Sequence, residues 1–263
     1  MAFNRKSYVL GAALMVSALS SVTAFAQTPE APALTLKDVP RGVQAEVTEF
    51  WEPVPVSVAT PEGGVPSDAI ILFDGNNTDA WVKAAAEGGA VDWPVADGIW
   101  SIGKRDVVTA ENFCDVQMHI EWRSPTDIAG FDSQNRGNSG IKFQNRYEVQ
   151  ILDSFDNPTY VQGQAGSVYK QYAPLVNASR APGEWQTYDI VFEAPIFSEN
   201  GSVRKPAYIT VFHNGVLVQN HVQLTGTTSY VGSPTYSAHG CEPIRLQDHN
   251  SDVTFRNIWV RPL

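Results

Sequence analysis

The chain has 263 residues, 18 of them basic and 28 acidic, for a formal net charge of −10. A surface this acidic repels phosphate backbones, so nucleic acid is excluded as a natural partner. Two cysteines are too few for a cysteine-built metal site; Cys114 and Cys241 either pair in an oxidising compartment or stand as two independent buried thiols.

Arg5 and Lys6 precede an apolar run from Tyr8 to about Leu19, and Ala24-Phe25-Ala26 supplies a small-x-small cleavage site. This pattern predicts a secretory signal peptide over residues 1–26 and a periplasmic or secreted mature protein. The apolar run is short for a bilayer span and no later stretch approaches that length, so no membrane insertion is expected. Loss of residues 1–26 leaves 16 basic residues against 28 acids, a formal charge of −12. Residues 27–66 are rich in Pro, Ala, Val and Glu and read as an N-terminal arm or linker. Residues 67–263 then form one domain.

From Ser67 onward, short alternating runs are separated by Gly, Pro and Asn. In chain order they are AIILF, GIWSIG, DVQMHIEWR, GIKFQ, YEVQILD, WQTYDIVFEA, AYITVFH, VLVQNHV, PIRLQDH and VTFRNIWV. Each reads as a strand, and no window has a helical period. Asn214-Gly215 between two β-rich runs predicts a type I′ hairpin. The expected architecture is all-β, an antiparallel sandwich of two sheets or a jelly roll. HExxH, GxSxG, Walker and GxGxxG motifs are absent.

The stretch GNSGIKFQNRYEVQILDSF, residues 137–155, is the most informative. With Gln144-Asn145-Arg146 as its loop, a hairpin pairs Phe143 with Tyr147, Lys142 with Glu148, and Gly140 with Gln150. Ile141, Phe143, Tyr147, Val149 and Ile151 then share a core face, and Lys142, Glu148 and Gln150 the other. A two-residue loop would mix the faces. Gln117, His119, Glu121 and Arg123 alternate with core residues in the same way, as do Arg245, Gln247 and His249. Such a face is either a solvated surface carrying ion pairs or a groove for carbohydrate, whose hydroxyls need paired donors and acceptors.

ILFDGNNTDAWV, GNSGIKF, YEVQILD, GSVY, PGEWQTYDIVFEA, NGVLVQNH and LQDHNSDVTFRNIWV occur in the order seen in the 3-keto-disaccharide hydrolase family. The chain resembles that family from about Ile70 to Leu263. The resemblance implies a concanavalin-like jelly roll of the lectin and glucanase type. It also implies an exported enzyme acting on glycosides whose C3 hydroxyl is already a ketone, with a small oxidised carbohydrate as its partner.

Glu148, Gln150 and Asp153 have the spacing of the E-x-D-x-x-E motif of retaining β-glucanases on the same fold, with Gln and Asp in place of Asp and Glu. A retaining glycosidase needs two carboxyl groups on one face, and an offset of five puts Asp153 opposite Glu148 unless a bulge intervenes. A 3-keto sugar offers another route, removal of the acidified C2 hydrogen and departure of the C1 substituent. That route needs a base, an acid and a stabiliser of the enolate oxygen. Glu148 and His249 are the candidates for base and acid, in either order, with Asp153 as a further catalytic candidate. Lys142, Arg136 or a divalent cation would stabilise the enolate, the cation on Glu121, Asp153 and His249. Glu121, Arg136, Asn138, Lys142, Gln150, Tyr169, Arg245 and Gln247 are the candidate substrate contacts. A non-catalytic carbohydrate-binding jelly roll and a conventional β-glucanase are the alternative readings.

Overall fold

The computed structural model describes residues 39–85 and 88–263, so the signal peptide expected over residues 1–26 lies outside the described residues. The chain divides at Val56/Ser57 into two units. The described part of the first holds one short helix, α1 (Arg41–Glu46), six residues that strand alternation did not anticipate.

The second unit is almost wholly β. Its strands in chain order are β1 (Ile70–Phe73), β2 (Trp81–Lys83), β3 (Val95–Ala96), β4 (Ile99–Ser101), β5 (Val107–Thr109), β6 (Val116–Arg123), β7 (Ser139–Phe143) and β8 (Tyr147–Ile151). They continue with β9 (Gln186–Glu193), β10 (Ile196–Phe197), β11 (Val203–Lys205), β12 (Tyr208–His213), β13 (Val216–Gln223), β14 (Arg245–Leu246) and β15 (Thr254–Pro262). An eight-stranded antiparallel sheet runs β13-β12-β9-β6-β15-β4-β3, with β1 also on β15. A five-stranded antiparallel sheet runs β2-β5-β14-β7-β8, and β10-β11 is a small ribbon. The fold is the expected two-sheet jelly-roll sandwich.

Alternation decides what lies between the sheets. On β6, Val116, Met118, Ile120 and Trp122 are buried while the residues between them are only half-buried. The five-stranded sheet answers with Val107, Ile141, Phe143, Val149, Ile151 and Leu246, all essentially inaccessible. Phe143 stacks on Phe192 of the facing sheet with ring centres 4.8 Å apart, and Tyr147 meets the same ring at 5.6 Å. The hydroxyl of Tyr188 on β9 donates to the Gln150 carbonyl at 2.9 Å, tying the two layers directly. Burial of each large side chain here contributes roughly 1.5–3 kcal/mol. Cys114 and Cys241 form a disulfide with Cα atoms 4.8 Å apart, so the two-thiol alternative is dismissed.

The β7–β8 hairpin has the expected register: Phe143 opposite Tyr147, Lys142 opposite Glu148, Ile141 opposite Val149 and Gly140 opposite Gln150. Gln144 and Asn145 both take positive φ in the loop. Asn214 and Gly215 also take positive φ between β12 and β13, as a type I′ turn requires.

Candidate functional site on the outer face of the five-stranded sheet

Strands β8, β7 and β14 lie side by side, and their outward residues form rows. Glu148, Lys142 and Arg245 are directly opposite one another across the three strands. The next row is Gln150, Gly140 and then Gln247, whose N–H donates to the Gly140 carbonyl at 3.0 Å. Gly140 has no side chain, so this row has a hollow at its centre. A Cβ there would come within 2.5 Å of Glu148 Oε1. Glycine at 140 therefore makes the space into which the Glu148 carboxylate folds.

Every residue of β8 is buried, including the polar ones that alternation placed on an open face. Residues 166–169 run along its free edge and cover it. The Gln150 N–H donates to the Ser167 carbonyl at 3.0 Å, the Gly166 N–H to the Gln150 carbonyl at 3.0 Å, and the Tyr169 N–H to the Glu148 carbonyl at 3.1 Å. The Glu148 N–H donates to Thr228 Oγ1 at 3.2 Å, bringing in the loop after β13. The result is a pocket of about 150 Å³. Its floor is Lys142, Glu148, Gln150 and Gln247, and its walls are Asn138, Tyr169, Thr228–Tyr230 and His249. A cleft of about 320 Å³ adjoins it, sharing Asn138, Tyr169, Tyr230 and His249 and adding Gln134 and Tyr160.

Electrostatics single out Glu148. Burial pushes its carboxyl above the ordinary glutamate range, against the opposing pull of the Lys142 ammonium, 3.3 Å from Oε2, and of nearby His249. Burial also pushes the Tyr169 phenol up, assisted by its hydrogen-bond partner Tyr160 at 2.9 Å and by Glu148, so Tyr169 stays a hydroxyl. His249 is exposed at the mouth, within reach of both cavities.

Seven of the eleven candidate residues thus line one pocket: Glu148, His249, Asn138, Lys142, Gln150, Tyr169 and Gln247. The remaining four are elsewhere or otherwise engaged. Arg245 shares the face, but its guanidinium is taken by Asn145 Oδ1 at 2.9 Å and Asp106 Oδ2 at 3.3 Å. Asp153 lies buried against Arg136, with Nε 2.9 Å from Oδ2 and Nη2 donating to Oδ1 at 3.1 Å. Burial raises the Asp153 carboxyl while Arg136 pulls it down. Neither residue lines the pocket that holds Glu148. Glu121 is on β6, on the outer face of the other sheet, because it alternates with core residues facing the five-stranded sheet. There it accepts from Arg256 at 2.6 Å and Asn257 at 2.9 Å. Burial raises its carboxyl, but these two bonds outweigh it and hold the group below the usual range. Neighbouring His119 is bound to Asp189 at 2.7 Å. Glu121, Asp153 and His249 therefore do not converge as a cation site, and among the described residues no three His, Cys, Asp or Glu side chains do.

Thr228, Ser229, Tyr230, Tyr160 and Gln134 were not anticipated. They lie in loops without a period, and only folding brings them to the sheet. A jelly roll whose polar sheet face carries a small amide-, tyrosine- and carboxylate-lined pocket has the makings of a carbohydrate-active protein. Residues 68–261 match the 3-keto-alpha-glucoside-1,2-lyase-like domain, and the chain belongs to that family of carbohydrate-active enzymes. A crystal structure of a "putative glycosyl hydrolase" from Parabacteroides distasonis ATCC 8503 is 51% identical, with a TM-score of 0.78 over 83% of this chain and 96% of the other. A second structure of that description from the same organism shares the fold at 20% identity, with a TM-score of 0.55 over 74% of this chain and 94% of the other. No curated protein matches the chain.

Proposed function

We propose that the protein cleaves 3-keto-glycosides by elimination followed by hydration. The observation that carries this reading is that, among the described residues, Glu148 is the only carboxylate lining the pocket. A conventional glycosidase needs a second carboxyl group as nucleophile or acid; Asp106, the carboxylate whose charge bears on Glu148, is held by Arg245 and the Asp248 N–H, and Asp153 is held by Arg136. A ketone at C3 removes that need, because it acidifies the hydrogen at C2.

In this scheme the buried Glu148 carboxylate takes the C2 proton, and the C2–H electrons move into a C2–C3 double bond with negative charge on O3. Lys142, on the pocket floor, offsets that charge. The enolate then re-forms the ketone and expels the C1 oxygen, which His249 protonates at the mouth, where the leaving group departs. Water adds at C1 of the resulting enone, C2 regains a proton, and the product is the free 3-keto sugar. Raised basicity of a desolvated carboxylate suits the first step, and the exposed position of His249 at the mouth suits its contact with the departing group in the second. Export and an oxidising compartment belong to the same proposal, and the Cys114–Cys241 disulfide supports them.

Turnover of a 3-keto-glucoside in D2O, followed by NMR, tests the chemistry. Deuterium at C2 of the 3-keto-glucose released is expected. Product formed at full rate with only hydrogen at C2 would contradict the elimination route.

A further inference from the structure

Gln150 lies on the pocket floor, 1% exposed, with its backbone fixed by Ser167, Gly166 and Tyr188. The orientation of its amide follows from its neighbours. Gln134 commits its Nε2 to Thr159 Oγ1 and the Gly163 carbonyl, both at 3.0 Å, so its Oε1 faces Gln150. Asn138 commits its Nδ2 to the Gln134 carbonyl at 2.7 Å, so its Oδ1 faces Gln150 as well. Two acceptors thus surround one side of the Gln150 amide, which must present Nε2 to them, at 3.4 and 3.3 Å. Its Oε1 is turned the other way. It is buried and has no hydrogen-bond partner among the described residues. A buried acceptor of this kind is costly unless a donor arrives.

We infer that Gln150 Oε1 is a specificity acceptor for a substrate hydroxyl, and that it reads a donor on the ring, not the ketone. The inference rests on the proposed 3-keto-glycoside activity and deepens it. Glu148 and Gln150 are two residues apart on one strand face, about 6.7 Å along it. With Glu148 at C2, the hydroxyl that meets Gln150 lies further round the ring, beyond the ketone at C4 or on the opposite side at C6. A carbonyl there would set acceptor against acceptor and be rejected. The same geometry accounts for glutamine at this position. A carboxylate would face the oxygens of Gln134 and Asn138 with no proton to offer either.

The test compares wild type with Gln150→Met on 3-keto-glucoside and on its 4-deoxy and 6-deoxy analogues. Wild-type kcat/KM should fall roughly ten- to hundredfold for one deoxy analogue. Gln150→Met should show a similar loss on the parent substrate and little further loss on that analogue. Losses that multiply for both analogues would overturn the inference, as would wild-type enzyme that turns over both as fast as the parent. The wild-type arm needs no variant, so a poorly folding Gln150→Met does not blunt it. Failure of wild type to turn over the parent 3-keto-glucoside is a distinct outcome that removes the functional reading and this inference together.

Discussion

In the proposed reaction Glu148 carries the first step, because its surroundings oppose its charge while the fold holds it in place. It was legible in the sequence as a polar residue in an apolar strand, and its neighbour Lys142 followed from the hairpin register. Its burial was not legible, because the covering residues, Tyr169 and Thr228, come from segments without a strand period whose placement over β8 no local pattern specifies. Glu148→Gln keeps volume and shape but removes the base, and kcat/KM on 3-keto-glycosides should fall about 10²–10⁴-fold. The same variant has a stability signature. A carboxyl raised on folding contributes stability below its unfolded pKa and loses that contribution as pH rises through the folded value. Glu148→Gln is free of that loss, so its melting temperature relative to wild type should increase from acid to neutral pH. A gap that instead narrows with rising pH would mean that Lys142 stabilises the carboxylate more than burial penalises it. His213 has the opposite sense. Burial between Trp122 and Tyr188 lowers its pKa from 6.5 to about 4. Its contribution is therefore present above about 6.5 and lost as pH falls towards 4. Acid titration of unfolding should show a decline across that window, smaller in His213→Gln.

At the scale of elements, the site depends on one hairpin and on what is missing from it. Alternation set the register of β7 and β8, since any one-residue slip would have turned Glu148 into the core. The same reasoning could not tell which polar faces share a sheet. His119 and Glu121 have the same pattern as Glu148 and Gln150, yet β6 belongs to the eight-stranded sheet and faces away. Periodicity reports which residues point outward, not from which layer. Arg136 and Asp153 lie apart from the Glu148 pocket for a related reason: both fall just outside the strands, where alternation no longer constrains direction, and they find each other. Gly140 gives the direct test of the hairpin's role. Its φ is not in the left-handed region, so alanine is permitted by the backbone, but the new Cβ displaces the Glu148 carboxylate. Gly140→Ala should lower kcat at least tenfold while the melting temperature changes little, because the atom that must move is the end of a side chain. Unaltered turnover in a folded Gly140→Ala would show that the position of Glu148 is not critical.

For the molecule as a whole, the all-β class and the two-sheet sandwich were readable from ten alternating runs and their turns, while the strand order was not. Two sheets of eight and five strands require long-range pairing, and no local signal specifies that β6 sits between β9 and β15. The Cys114–Cys241 bridge spans 127 residues of this non-local topology. Closing so long a loop restricts the unfolded chain, and replacing both cysteines by alanine should cost about 2–5 kcal/mol in urea unfolding. A loss under about 1 kcal/mol would mean that the sheet pairing alone holds these segments together. The central claim is that a pocket with a single carboxylate acts on a sugar already oxidised at C3. Its most direct test is a side-by-side assay of the purified protein on a 3-keto-glucoside and on the same glucoside unoxidised. The account predicts release of the aglycone from the keto compound and none above background from its parent; cleavage of the parent at a comparable rate would contradict it.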